Sequence, residues 1–105
     1  MKAIINGRRY DTDKAIELAS ASSHCGRSDF AWWREKLYRT PRSGAYFLAG
    51  KGHARSHYAT SLGGGSYGPG EKITPMSEEE AFAWAQQHLR ADEIETIFAA
   101  RIEDA

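Results

Sequence analysis

Two histidines four residues apart, His53 and His57, and an adjacent His24-Cys25 pair are the first side chains whose types suit chemistry. Four such donors would complete a tetrahedral zinc site. On a helix the pair would share one face, but here it stands among glycines, where spacing fixes no geometry, and no C-x2-C element accompanies it. Solvated or hydrogen-bonded histidines are the simpler expectation, and no metal or other cofactor is expected. Cys25 beside His24 has the letters of a thiol and a base. Nothing in the sequence supplies an oxyanion hole, and a lone cysteine ordinarily serves as a small buried hydrophobe. The run Gly63-Gly64-Gly65-Ser66-Tyr67-Gly68-Pro69-Gly70 lacks the Gly-Lys-Ser/Thr and the helix that end a phosphate loop, since Glu71-Lys72-Ile73 follows and reads as strand. No enzymatic constellation emerges.

A binding surface is the stronger pattern. Read as a strand, the segment from Phe30 to Thr40 alternates Trp32, Arg34, Lys36 and Tyr38 on one face with Trp33, Glu35, Leu37 and Arg39 on the other. The first set would suit stacked bases and phosphates, or an acidic protein face. The plain alternative is a half-buried sheet whose cationic stems cover aromatic rings. Neither face is cleanly apolar, and Trp33 and Leu37 are expected inward. Arg8, Arg9, Arg42, Lys51 and Arg55 would widen the basic area.

The elements that must position these residues are partly legible. Lys2-Ala3-Ile4-Ile5 and Arg8-Arg9-Tyr10 flank Asn6-Gly7, the favoured pair of a two-residue hairpin. A helix capped by Asp11 and edged by Ile16, Leu18 and Ala19 is expected next, fading near Ser20–Ser23. A second hairpin turns at Pro41-Arg42-Ser43-Gly44. Seven of the ten glycines fall between Gly50 and Gly70, a stretch expected to be a functional or mobile loop with a short strand near His57–Ser61. Glu71–Thr74 reads as a strand closed by Pro75. Ser77-Glu78-Glu79-Glu80 matches a capping box, with Ala81, Trp84, Ala85, His88 and Leu89 behind it. A further helix start at Asp92 leads the stripe Ile94, Ile97, Phe98, Arg101 and Ile102. On the stripe of the first of these helices, Trp84 and His88 are expected to pack in a core. The expected fold is α+β in a single domain over residues 1–105: a small, mostly antiparallel sheet of four or five strands with about three helices on one side.

The 105 residues carry 14 basic and 14 acidic side chains, so net charge selects no partner. The total conceals an asymmetry. Residues 1–72 hold twelve Lys/Arg against six Asp/Glu, a net of +6, and residues 73–105 hold two against eight, a net of −6. Acidic helix starts account for part of this, and a dipolar surface able to steer a charged partner is the functional alternative. No apolar run approaches the roughly 20 residues of a membrane span, and the first residues lack the apolar core of a secretion signal. With one cysteine and no possible internal disulfide, a cytoplasmic location is expected and no membrane partner.

Three blocks, IINGRRYDTDKAIELA, LYRTPRSGAYFLAGKGHARSHYA and GEKITPMSEEEAFAWAQQHLRADEIETIF, together resemble a group of small proteins of phages and other mobile elements that includes anti-CRISPR proteins. The resemblance implies a stoichiometric, non-enzymatic inhibitor. It would bind a CRISPR-Cas effector protein or crRNA-guided complex, touch its RNA or DNA channel, and block target recognition or cleavage. No catalytic residue carries over. Candidate partner-contacting residues are Trp32, Arg34, Lys36, Arg42, Lys51, Arg55, Tyr58, Tyr67, Glu79 and Glu93. A small nucleic-acid-binding accessory protein of a mobile element is the alternative.

Overall fold

A computed structural model describes all residues from Met1 to Ala105. The Asn6-Gly7 turn closes a hairpin of β1 (Lys2–Ile5) and β2 (Arg8–Asp11), with φ of 51° at Asn6 and 77° at Gly7. These are the left-handed values a tight primed turn demands. The helix expected next is absent. Asp11 instead accepts the backbone N–H of Asp13 in a side-chain turn, and Ile16–Ser22 forms strand β3. The segment has only a weak helical stripe, and pairing with β4 (Trp33–Arg39) satisfies its backbone instead.

Strand β4 turns through Pro41–Gly44 into β5 (Tyr46–Gly52), as the sequence predicts. The hydroxyl of Thr40 takes the Ala45 N–H, and Gly44 adopts a φ of 68°. Within the glycine-rich stretch, β6 (Thr60–Gly63) and β7 (Ser66–Gly68) make a small hairpin of their own, a little beyond the strand expected at His57–Ser61. Strand β8 (Gly70–Met76) completes a four-stranded antiparallel sheet in the order β3-β4-β5-β8. Pro75 sits in that edge strand, where a missing N–H costs little.

Helix α1 (Glu78–His88) carries the expected capping box. Ser77 Oγ accepts the Glu80 N–H at 3.1 Å, and Glu80 accepts the Ser77 N–H at 2.9 Å. Helix α2 (Ala91–Phe98) starts one residue before Asp92 and ends at Phe98 in a 3-10 turn, leaving Ile102 outside its apolar stripe. The fold is therefore α+β with two α-helices rather than three, because the N-terminal helical segment became a strand.

Both faces of the sheet are covered, which explains the absence of a clean alternation. On one face Ala19, Leu37, Tyr46 and Leu48 pack under Ala81, Trp84, Ala85 and Phe98 of the helices. On the other, Tyr38, Phe47, Ala49 and Ile73 pack under Tyr10 of the N-terminal hairpin. Leu37 points inward as expected, yet its neighbour Tyr38 is buried too, against the opposite cover. Burying a side chain such as Leu37 or Phe47 contributes about 1.5–3 kcal/mol. The result is a plate 50 × 34 × 20 Å. No helix is long and apolar enough to cross a membrane.

Candidate functional site

The N-terminal hairpin covers only part of its face. Beyond it, strand register aligns Ser22, Arg34, Lys51 and Glu71 in one row across the four strands, and Ser20, Lys36, Ala49 and Ile73 in the next. Arg34, Lys36, Lys51 and Glu71 line an open cleft of about 330 Å³, with the Met1 end of the hairpin at its rim. The Met1 ammonium donates to Thr12 Oγ1 at 2.9 Å. Lys36 is neutralised by Glu17 at 3.1 Å. Arg34 and Lys51 are not: neither has a carboxylate within 4.0 Å, and they stand directly opposite one another. Like charges in that position are destabilising. An anion laid between them would relieve the repulsion and accept from both.

The opposite face of the molecule is acidic. Helices α1 and α2 turn Ala81, Trp84, Ala85 and Phe98 to the sheet and leave Glu78, Glu79, Glu80, Asp92, Glu93 and Glu95 exposed. Arg101 lies 3.4 Å from Glu78, and Arg90 3.7 Å from Asp92. Glu79, Glu93 and Glu95 have no cationic partner within 4.0 Å, although Glu93 accepts the Arg90 N–H at 3.5 Å. The hydrogen bonds of the cap hold the Glu80 carboxyl below its ordinary range. The acidic block of the sequence thus forms the helix cover of the sheet, and the cationic row of β4 and β5 opens on the hairpin side, while Arg39 and Lys72 of the basic block lie on the helix-side face.

Between them lies a buried polar knot that the sequence did not disclose. Glu35, 6% exposed, faces the helices and receives Trp84 Nε1–H at 2.9 Å, Tyr58 O–H at 2.5 Å and His57 Nε2 at 3.1 Å. Burial pushes the Glu35 carboxyl up, but these three donors and the charge of protonated His57 outweigh it and leave it below the ordinary carboxylate value. Burial and donation to Glu35 push the Tyr58 phenol well above its usual range. Tyr58 reaches Glu35 by crossing Gly50, where any Cβ would collide with its ring. Trp33 packs edge-on against both His57 and His88, whose rings lie 5.3 and 5.7 Å away. Every buried side-chain nitrogen and oxygen has a hydrogen-bond partner, and the knot ties the 53–59 loop and α1 to β4.

Several expected site residues fall elsewhere. Trp32 precedes β4 and is buried, its carbonyl held by the His53 N–H at 2.9 Å, so it is no stacking surface beside Arg34. Tyr38 lies beneath the hairpin. Tyr58 turns inward to Glu35. Arg42 sits in the β4–β5 turn, at the opposite end of the strands from the Arg34–Lys51 row. Arg55 is exposed in the 53–59 loop, and Tyr67 projects from β7. Lys36 and Lys51 do join Arg34. His53 Nε2 donates to the Arg27 carbonyl at 2.8 Å while His57 bonds Glu35, so the two histidines do not converge. Trp84 is buried as expected, and His88 is half-buried against it at 5.2 Å. Cys25 is half-buried, its thiol donating to Ser23 Oγ at 3.1 Å. Sequence reasoning passed over Arg27 and Glu35; only the position of Glu35 on the Leu37 face hinted at burial.

No family model, no curated protein and no solved structure matches this chain.

Proposed function

We propose that this chain is an anti-CRISPR protein, a stoichiometric inhibitor that binds a CRISPR-Cas effector and blocks recognition or cleavage of target DNA. The observation that carries the reading is the concentration of carboxylates on the helix cover, on the far side of the sheet from the cationic row. CRISPR effectors hold nucleic acid in positively charged channels. Helices α1 and α2 present unpaired Glu79, Glu93 and Glu95 on one broad side of a plate 20 Å thick, a shape and charge that would compete for such a channel. Electrostatic complementarity of this kind raises association rates and falls with salt. The resemblance of the three sequence blocks supports the choice of partner.

The test mixes purified protein with single-chain and multi-subunit effectors and reads DNA cleavage and co-elution. Cleavage should fall in proportion to added protein and stop at a stoichiometric end point, and the Glu79→Lys/Glu93→Lys variant should need several-fold more protein. Absence of both binding and inhibition with every effector type overturns the proposal, as does loss of cleavage at far below equimolar protein, which would signify turnover.

A further inference from the structure

We propose that the cationic row is one end of a continuous groove that binds single-stranded nucleic acid, with phosphates on Arg27, Arg34 and Lys51 and bases on Phe30 and Tyr67. This goes beyond the inhibitor reading and does not depend on it. The Arg34–Lys51 cleft runs past Lys51 and Glu71 into a second depression of about 310 Å³ beside Trp32, Gly52 and Gly70. That depression shares Arg27, His53 and Pro69 with a third, of about 500 Å³, walled by Phe30, Leu62 and Tyr67. Lys51 and Glu71 wall the first two depressions and Arg27, His53 and Pro69 the second and third, which sets the three side by side in series.

Its two ends differ in chemistry. At one end Arg34 and Lys51 face each other with no carboxylate within 4.0 Å of either, and Glu71 stands across from Lys51 on β8. At the other, Phe30, Leu62 and Tyr67 are 66%, 68% and 59% exposed, three of the four most exposed large apolar side chains in the chain. Arg27 stands between them, its guanidinium 5.6 Å from the centre of the Trp32 ring and without a carboxylate partner. The path is also held in place. The Arg55 N–H donates to the Phe30 carbonyl at 2.7 Å, and the His53 ring to that of Arg27 at 2.8 Å, fastening the segment that carries Phe30 and the central cation to the 53–59 loop, while Tyr67 stands on the β6–β7 hairpin.

A row of cations with exposed rings at its end matches a strand whose charge lies on its backbone and whose bases are free to stack. An acidic peptide would use the cations and leave Phe30 and Tyr67 idle. A duplex keeps its bases stacked on each other and would do the same. Glu71 is the one carboxylate in the groove, and it lies at the junction of the first two depressions, opposite Lys51.

The test is fluorescence anisotropy with a labelled oligo-dT of about 12 nucleotides, titrated over a range of salt and compared with its duplex and with polyglutamate. Three phosphate contacts predict a slope of log affinity against log salt of about −2. Arg34→Ala/Lys51→Ala should reduce the slope to about −1 and weaken binding at least tenfold. Phe30→Ala/Tyr67→Ala should weaken binding about tenfold or more and leave the slope unchanged. All four residues are exposed, and thermal unfolding of each variant no lower than the parent's confirms that the fold is intact. No complex at low salt overturns the inference. Polyglutamate or duplex binding as tightly as the single strand, with no effect of Phe30→Ala/Tyr67→Ala, also overturns it and assigns the groove to an acidic surface. Inhibition of an effector without oligonucleotide binding removes this inference and leaves the inhibitor reading in place.

Discussion

Glu35 and Arg34 are neighbours on one strand and opposite in fate. Glu35 turns to the helices, where three donors converge on a carboxylate only 6% exposed. Arg34 turns the other way, onto a face the N-terminal hairpin leaves partly open, and meets Lys51 with no acid within 4.0 Å. A buried charge survives folding only if its hydrogen bonds are complete. An exposed like-charge pair survives although it lowers stability, because the penalty is small. The contrast separates two uses of ionisable residues: Glu35 holds the fold, and Arg34 and Lys51 are the pair proposed to meet a ligand.

The largest effect should come from breaking the knot. Glu35→Ala strips Trp84 and Tyr58 of their acceptor at once, and stranded buried donors cost about 1–3 kcal/mol each. Urea denaturation should show a loss of about 3 kcal/mol. Gly50→Ala attacks the same knot from the neighbouring strand. Its Cβ would occupy the space of the Tyr58 ring, and overpacking of this kind costs about 1–3 kcal/mol; urea denaturation should show a loss of about 2 kcal/mol. A Gly50→Ala protein as stable as the parent would mean that Tyr58 is free to leave Glu35, and the knot would lose its structural role.

Tyr58→Phe removes one donor and keeps the ring, for an expected loss of about 1 kcal/mol. It also sharpens the pH dependence. Glu35 has its folded carboxyl below the unfolded value of 4.5, so its contribution is complete above that pH and is lost as pH falls through the lower folded value. Tyr58 is raised from 10.0, so its contribution is complete below pH 10 and is lost as pH climbs beyond it. Denaturation midpoints followed from pH 3 to 11 should show both limbs in the parent. The alkaline limb should shrink in Tyr58→Phe, and the acid limb should shrink in Glu35→Gln.

The sequence was most legible where structure is local. Asn6-Gly7, the turn at Gly44 and the Ser77–Glu80 box each specify backbone geometry within four residues, and each forms where its letters stand. Ile16–Ser22 was read as helix because its decisive interaction, pairing with β4, lies well over ten residues away and leaves no periodic mark. Trp32 is hidden from the sequence for a similar reason, since the His53 ring packed 5.0 Å from it comes from a distant loop. Of the site, Arg34, Lys36 and Lys51 were legible because alternation and pairing put basic residues on one face. Glu35 was not, because a glutamate in an alternating strand reads the same whether it meets water or a tryptophan N–H. Phe30 and Tyr67 come to one depression only through the folding of the loop before β4 against the β6–β7 hairpin, which no spacing in the chain announces.

The smallest expected effect bears most directly on the central claim, that the open row serves a ligand rather than the fold. Arg34→Glu places a carboxylate opposite Lys51 in the same register. The one measurement is the free energy of unfolding of this variant in urea, against the parent, at low salt. A rise of about 0.5 kcal/mol is predicted, because a repulsive cross-strand pair becomes an attractive one. A fall in stability would show that Arg34 supports the sheet, and would contradict the account.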